Sequence, residues 1–136
     1  MSRRVAAAVL VSAAMLPLGS CTTSGAKPTS TVLDELGEVT DLTGRSEVAI
    51  EVIDNGYKPK VAKVSPGTRI TFRNTGANPH NVTPFDDGAF PAMVLTPGQS
   101  AELTVPQKAG ALPFYCTIHG GRSQGQRGAL TIAPPF

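Results

Sequence analysis

Three side chains in the second half of the sequence are of the types that bind a transition metal. Cys116 and His119 are separated by two residues, and His80 lies 36 residues before the cysteine. A thiolate and an imidazole at this spacing can reach one ion across a tight loop. Two imidazoles and one thiolate form the trigonal set that holds copper in electron-transfer proteins. The pattern therefore predicts one mononuclear copper site.

The same residues allow other chemistry, and each alternative requires a different companion. A Cys116 nucleophile with His119 as its base would need an orienting acid or amide and an oxyanion hole, for which we find no motif. Zinc also binds Cys and His, but a structural zinc site usually takes all four ligands from these residues. A free cysteine can also be a small apolar core residue. The presence of all three side chains favours copper.

Short strands must position these residues. Gly and Pro together make 26 of the 136 residues, and only 16% are charged. Apolar and polar residues alternate in short runs, for example Ile70 and Phe72 between Arg69, Thr71 and Arg73, which indicates strands with one buried face. Turn signals recur about every ten residues, at Asn55-Gly56, Pro66-Gly67, Thr75-Gly76, Asp87-Gly88, Pro97-Gly98 and Ala109-Gly110. We predict an all-β Greek-key sandwich or barrel of seven or eight strands.

Around the three metal-binding residues the sequence resembles the cupredoxins, the plastocyanin, azurin and amicyanin group of blue-copper domains. The resemblance covers about residues 47–134 and includes His80-Asn81, the Phe-Tyr pair before Cys116, and a final strand after His119. It implies that His80, Cys116 and His119 are the copper ligands. It also implies that Asn81 ties the two ligand loops together by hydrogen bonds.

The axial position departs from the usual pattern of this family. The family usually has methionine two residues before the glycine that opens the last strand. Counting back from Gly128, that place holds Gln126. Gln124 is a rival because loop lengths vary, but the glycine framing favours Gln126, and the plant stellacyanins also use an axial glutamine. A hard amide oxygen stabilises Cu(II), so a lower reduction potential than with methionine is expected.

The N-terminal segment is typical of an export signal. Arg3 and Arg4 precede an uncharged run over residues 5–16, which is too short for a spanning helix. The run ends in Leu-Gly-Ser before Cys21 and resembles the bacterial lipobox, which implies a lipid such as palmitate on Cys21. Ordinary secretion with a free Cys21 is the alternative. We expect an exported protein that is lipid-anchored in the cell membrane and faces outward or into the periplasm.

These segments predict three parts of the chain. Residues 1–20 would be a signal peptide, 21–46 the lipidated cysteine with a flexible tether, and 47–136 the copper-binding domain. Removing the signal peptide takes away Arg3 and Arg4 and leaves ten basic and ten acidic residues. Cys116 would then be the only free thiol, so it could not form an internal disulfide.

The sequence thus predicts a membrane-tethered one-electron carrier that is not an enzyme. We expect redox protein partners in the cell envelope and a monomeric state. Nucleic acid is excluded as a partner, because it requires a concentrated basic surface. Two alternatives remain open: a copper-delivery lipoprotein that uses the same ligands, and a structural lipoprotein with a vestigial site.

Overall fold

The structure, a computed structural model, describes residues 29–134. The expected signal peptide and Cys21 lie outside these residues. Within them the chain forms one helix and ten strands. Their bounds are α1 Thr29–Leu36, β1 Val39–Asp41, β2 Glu47–Ile53, β3 Gly56–Lys58, β4 Val61–Val64, β5 Arg69–Asn74, β6 His80–Pro84, β7 Met93–Leu95, β8 Ser100–Thr104, β9 Gly110–Gly120 and β10 Gly125–Ile132.

The strands form two sheets. One has six strands in the order β1-β4-β10-β9-β6-β7, and the other has four in the order β3-β2-β5-β8. Both are mixed: β1 and β10 run parallel to β4, and β2 runs parallel to β5, whereas the remaining neighbours are antiparallel. The predicted all-β class is confirmed, and the arrangement is consistent with a Greek-key sandwich. The strand count is ten because β1, β3 and β7 have only three residues each.

Alternating side chains of the strands build the core. Along β2, Val48, Ile50 and Val52 are buried and the residues between them are exposed, as expected for a strand with one face on the core. Phe114 of β9 packs edge-on against Phe72 of β5, with ring centroids 5.4 Å apart. Such aromatic contacts join the two sheets and fix the position of β9, which carries two of the predicted ligands.

The folded region begins before the predicted boundary. The sequence suggests a flexible tether up to residue 46, whereas α1 and β1 occupy part of that segment. Strand β1 is an edge strand of the six-stranded sheet, and α1 packs against β9 and β10 of the same sheet. Val32 and Leu36 of α1 are each 4% exposed and form a cluster with Val61 and Ala129. Burying such side chains stabilises by about 1.5–3 kcal/mol each. The free energy gained by burying these two side chains, which lie four residues apart on one face of α1, therefore outweighs the polar composition of the segment.

Helix α1 is also joined to the sheet by an ion pair. Arg127 of β10 donates from Nη1 to Oε2 of Glu35, at 3.1 Å, and the side chain of Arg127 is only 12% exposed.

None of the helical segments between residues 29 and 134 is long and apolar enough to cross a bilayer.

Candidate metal centre

Three side chains converge where β6 begins and β9 ends. One ligand atom from each of His80, Cys116 and His119 lies within 4.8 Å of the others. The Cys116 Sγ is 4.0 Å from Nδ1 of His80 and 3.7 Å from Nδ1 of His119. His80 and Cys116 are fully buried, and His119 is partly exposed. The structure therefore brings together all three residues that the sequence singles out.

The ring of His80 is oriented by a carboxylate that sequence reasoning missed. Asp54, in the turn between β2 and β3, lies 2.8 Å from Nε2 of His80. The same carboxylate accepts backbone hydrogen bonds from Ala77 at 3.0 Å and Asn78 at 3.3 Å. These bonds, led by that from Ala77 and followed by that from His80, lower the pKa of Asp54 to about 2. Asp54 is therefore an ionised acceptor, and the opposite nitrogen of His80 faces Cys116.

A signal for Asp54 exists in the strand pairing. β2 and β5 are parallel neighbours, with Val52 opposite Asn74. The turns that follow these two strands therefore lie side by side, which places Asp54 against the loop that leads to His80. Without the pairing, 26 residues of sequence separate the two side chains.

Asn81 bridges the two ligand segments. Its Nδ2 donates to the hydroxyl of Thr117 at 2.7 Å, and the backbone N–H of Thr117 donates to its Oδ1 at 3.0 Å. Thr83 donates to the same Oδ1 at 2.9 Å. The backbone N–H of Asn81 also points at the Cys116 Sγ, at 3.4 Å. The segment of His80 and the segment of Cys116 are thus tied together next to the thiolate.

Tyr57 of β3 contacts this bridge through the backbone of Asn81. Sequence reasoning also missed this residue. Its hydroxyl donates to the backbone oxygen of Asn81 at 2.7 Å, and its ring packs edge-on against Phe114 with centroids 4.9 Å apart. Burial, together with the nearby Cys116 thiolate, raises the pKa of Tyr57 above its ordinary value. The phenol is therefore a neutral hydrogen-bond donor over the whole physiological range.

Gln126 is a further buried polar side chain near this region. It is 1% exposed, and its Nε2 donates to the backbone oxygens of Ile53 at 3.1 Å and Gly56 at 2.9 Å. Its Oε1 is buried and has no hydrogen-bond partner among the residues that the structure describes. Because a buried oxygen without a partner costs about 1–3 kcal/mol, this atom is suited to a ligand.

The strand pairing aligns Gln126 with the loop of Cys116 and His119. Gly125 of β10 pairs with Gly120 of β9 and Arg127 pairs with Tyr115, with a register irregularity between the two pairs. Gln126 is thus the one β10 residue opposite residues 116–119. Gln124, the rival axial candidate, is exposed, and its backbone oxygen closes the turn by accepting from Gly121 at 2.9 Å.

Glycine is needed where β10 approaches the ligand loop. Gly125 has a φ of 85°, in the left-handed region that side chains rarely adopt. A Cβ there would also collide with the backbone oxygen of His119 and with Cα of Gly120. The close approach of these two strand ends therefore depends on the glycines that frame the loop.

The donor set fits copper better than the alternatives. Two imidazole nitrogens and a thiolate match the His₂Cys set, and the unpartnered amide oxygen of Gln126 is the candidate for the weak axial donor. A structural zinc site would take Cys or His in the fourth place. For a nucleophile, Cys116 is too inaccessible, since it is fully buried and its sulfur faces the Asn81 amide. The carboxylate near the site contacts His80, whereas the proposed base in that mechanism is His119.

Comparison with known proteins agrees with this geometry. A family model described as "Cupredoxin-like domain" matches residues 12–132. Plastocyanin A/B of Petroselinum crispum is 32% identical over 100 residues, covering 64% of this chain and 99% of that protein.

Among solved structures, a purple cupredoxin from Nitrosopumilus maritimus superposes with a TM-score of 0.54 at 22% identity, covering 63% of this chain and 99% of that one. A mutant amicyanin in its reduced state gives 0.54 at 25% identity, covering 64% and 82%. The structural likeness to the purple cupredoxin supports the fold, and the family match spans most of the sequence. The chain belongs to the cupredoxin-like domain family.

Proposed function

We propose that this protein is a blue-copper electron carrier. The observation that carries the proposal is the convergence of His80, Cys116 and His119 within 4.8 Å, in a domain similar to plastocyanin and amicyanin. A bound copper ion would supply one-electron chemistry by alternating between Cu(II) and Cu(I). The surrounding residues hold the three donors in place, bury the thiolate and leave one imidazole near the surface.

The protein scaffold favours small rearrangement between the two oxidation states. His80 is held by Asp54, and the segments of His80 and Cys116 are joined through Asn81 and Thr117. Donors fixed by such contacts keep one geometry irrespective of the charge of the ion. Low rearrangement suits electron transfer, whereas delivery of the ion requires ligands that can release it.

Gln126 is proposed as the axial ligand through Oε1. Its Nε2 is committed to the backbone oxygens of Ile53 and Gly56, so the oxygen is the end of the amide left for a ligand. The exposure of Gln124 argues against that rival. An oxygen donor favours Cu(II), and a lower reduction potential than with a thioether follows.

The partly exposed His119 is the proposed exit for the electron. Val94, next to the His80 strand, is 71% exposed, and Ile118, beside His119, is 54% exposed. Contiguous exposed apolar patches are typical of docking surfaces, and we propose that these two side chains belong to one. We propose a redox protein of the cell envelope as the partner that docks there.

The decisive experiment uses residues 22–136 with added Cu(II). Visible and paramagnetic resonance spectra should show an intense thiolate-to-copper absorption and a narrow hyperfine splitting, both lost in Cys116→Ser. A colourless complex or an ordinary type 2 spectrum would refute the electron-carrier proposal. Reversible voltammetry with retained copper supports shuttling. Rapid loss of copper to a soluble chelator would support delivery instead.

Membrane tethering through Cys21 is a separate proposal that the N-terminal sequence supports. The full-length chain should fractionate with membranes, and mass spectrometry should find a lipid on the first residue of the mature protein. Cys21→Ala should release the protein from the membrane fraction without changing its copper spectrum. Cys116→Ser is the matched control, because it should abolish the spectrum and leave the fractionation unchanged.

A further inference from the structure

The turn between β2 and β3 contacts two side chains of the metal centre at once. Its Asp54 carboxylate lies 2.8 Å from Nε2 of His80. Its flanking residues Ile53 and Gly56 accept hydrogen bonds from Nε2 of Gln126. We propose that this turn is the positioning element of the site, and that Asp54 is the positioning residue that fixes the ring of His80. The proposal rests on the copper function and names the residue that prepares one ligand.

The Asp54 carboxylate is itself firmly held. Its Oδ2 accepts from the backbone of Ala77 at 3.0 Å, and its Oδ1 accepts from the backbone of Asn78 at 3.3 Å as well as facing His80. The turn is further defined by Asn55, whose φ of 67° places it in the left-handed region. The carboxylate therefore presents a fixed oxygen to the imidazole.

This contact determines which ring nitrogen carries the proton. An ionised carboxylate has no hydrogen to donate, so the 2.8 Å contact requires a proton on Nε2 of His80. The lone pair of Nδ1 then faces Cys116, 4.0 Å from its sulfur. A carboxylate on the far nitrogen of a ligand histidine fixes the tautomer and raises the basicity of the donor. Asp54 thus prepares His80 before any metal arrives.

A purely structural role for Asp54 is the competing explanation. Its bonds to Ala77 and Asn78 would cap the loop before β6 whether or not His80 needed orienting. The two roles differ in their effect on the His80 ring proton and on the preference between Cu(II) and Cu(I). Asp41 offers a matched control, because it is another exposed carboxylate, at the end of β1, and accepts two hydrogen bonds from Thr43.

The first test is made on the metal-free protein by nitrogen-15 NMR of the histidine rings. In the native sequence, His80 should carry a slowly exchanging proton on Nε2. Asp54→Ala should bring that proton into fast exchange, and Asp41→Ala should leave it unchanged. A proton on Nδ1 of His80 in the native protein, or an unchanged Nε2 proton in Asp54→Ala, would overturn the proposal.

The second test measures copper affinity and reduction potential. Asp54→Ala should weaken Cu(II) binding by about 10–100-fold, the usual effect of losing such an outer partner. Cu(I) should be affected less, because it gains less from the negative charge. Each tenfold difference between the two losses raises the potential by about 59 mV. An affinity for Cu(II) within twofold of the native value would overturn the proposal.

Two further variants keep the tests decisive. If Asp54→Ala does not fold, Asp54→Asn retains the size and one acceptor oxygen but loses the charge, and should shift the potential in the same direction. Gly76→Ala should displace the Asp54 carboxylate without replacing it, because a Cβ there would collide with that carboxylate. It should therefore shift the potential in the same direction as Asp54→Ala. If the native protein bound no copper, the proposed function would fail, whereas the ring-proton test would still decide the role of Asp54.

Discussion

The amide nitrogen of Gln126 lies 2.9 Å from the backbone oxygen of Gly56, across 70 residues of sequence. With the second bond to Ile53, this contact decides which end of the amide is free. A glutamine whose amide nitrogen donates to two carbonyl oxygens must point its own amide oxygen away from them. These two backbone groups therefore leave the oxygen, and not the nitrogen, as the end of the amide available for the axial ligation proposed above.

Replacing this oxygen by a thioether should raise the reduction potential. In Gln126→Met, a soft sulfur would favour Cu(I), and a preference of about 1–3 kcal/mol corresponds to tens of millivolts up to roughly 130 mV. Voltammetry of the copper-loaded proteins measures the shift. Gln124→Met is the control, because Gln124 is exposed and should leave the potential unchanged. A potential that does not rise in Gln126→Met would show that the axial assignment is wrong.

Tyr57→Phe should destabilise the metal-free protein. The change leaves the backbone oxygen of Asn81 buried without its donor, at a cost of about 1–3 kcal/mol. Denaturant unfolding at neutral pH measures the loss. Tyr115→Phe is the matched control, because no hydrogen bond of the Tyr115 hydroxyl contributes to the bridge at Asn81. Equal losses in the two variants would contradict the role of the Tyr57 hydroxyl.

The difference in the free energy of unfolding between the native protein and Tyr57→Phe should depend on pH. The pKa of Tyr57 is raised in the folded state, so above the ordinary tyrosine pKa of about 10 the unfolded chain loses a proton that the folded chain keeps. This contribution to stability is fully present below pH 10 and is lost as the pH rises further. The stability gap between native protein and Tyr57→Phe should therefore narrow above pH 10. A constant gap up to pH 11.5 would contradict this prediction.

The three candidate ligands could be recognised from sequence because their residue types are rare in this chain. The chain has two histidines, and its other cysteine, Cys21, lies in the N-terminal segment. Few other residues could therefore be taken for the ligands in place of His80, Cys116 and His119. Strand alternation and regular turns likewise sufficed for the all-β class. The residues around these three side chains could not be recognised by rarity, because the chain has ten acidic residues. The position of Asp54 depends on the parallel pairing of β2 with β5, which the sequence does not reveal.

The segment of helix α1 was interpreted as part of a flexible tether for a related reason. Its eight residues include three with polar hydroxyl side chains, and an isolated helix of that length is unstable in water. It is stabilised by the sheet surface under Val32 and Leu36, which the local sequence does not contain. Tertiary burial, and not local propensity, therefore determines where the fold begins.

The packing of α1 predicts that this segment contributes to stability without affecting the metal centre. Leu36→Ala should lower the free energy of unfolding, by up to about 2–5 kcal/mol if the site behaves as a full core position. Asp34→Ala, on the exposed side of the same helix, is the control. Denaturant unfolding measures the loss, and the copper spectrum should be unchanged. A stability equal to that of Asp34→Ala would show that the helix does not contribute to the fold.

The approach of β10 to β9 can be tested at Gly128. A Cβ at this position would lie 2.6 Å from the Phe114 ring and 2.9 Å from the backbone oxygen of Lys60. The ring cannot retreat freely, because it packs edge-on against both Tyr57 and Phe72. Overpacking of this kind typically costs about 1–3 kcal/mol. Gly128→Ala should therefore destabilise the protein by about that amount in denaturant unfolding.

Displacement of Phe114 has a further consequence at the metal centre. Tyr57 packs on this ring and donates to Asn81, so a shifted ring would loosen the bridge between the ligand segments. The absorption of copper-loaded Gly128→Ala should consequently broaden or shift. Gly121→Ala is the matched control, since a Cβ there has no neighbour within 4 Å. If both variants kept the native stability and spectrum, the contact of Gly128 with Phe114 would not be a constraint on the site.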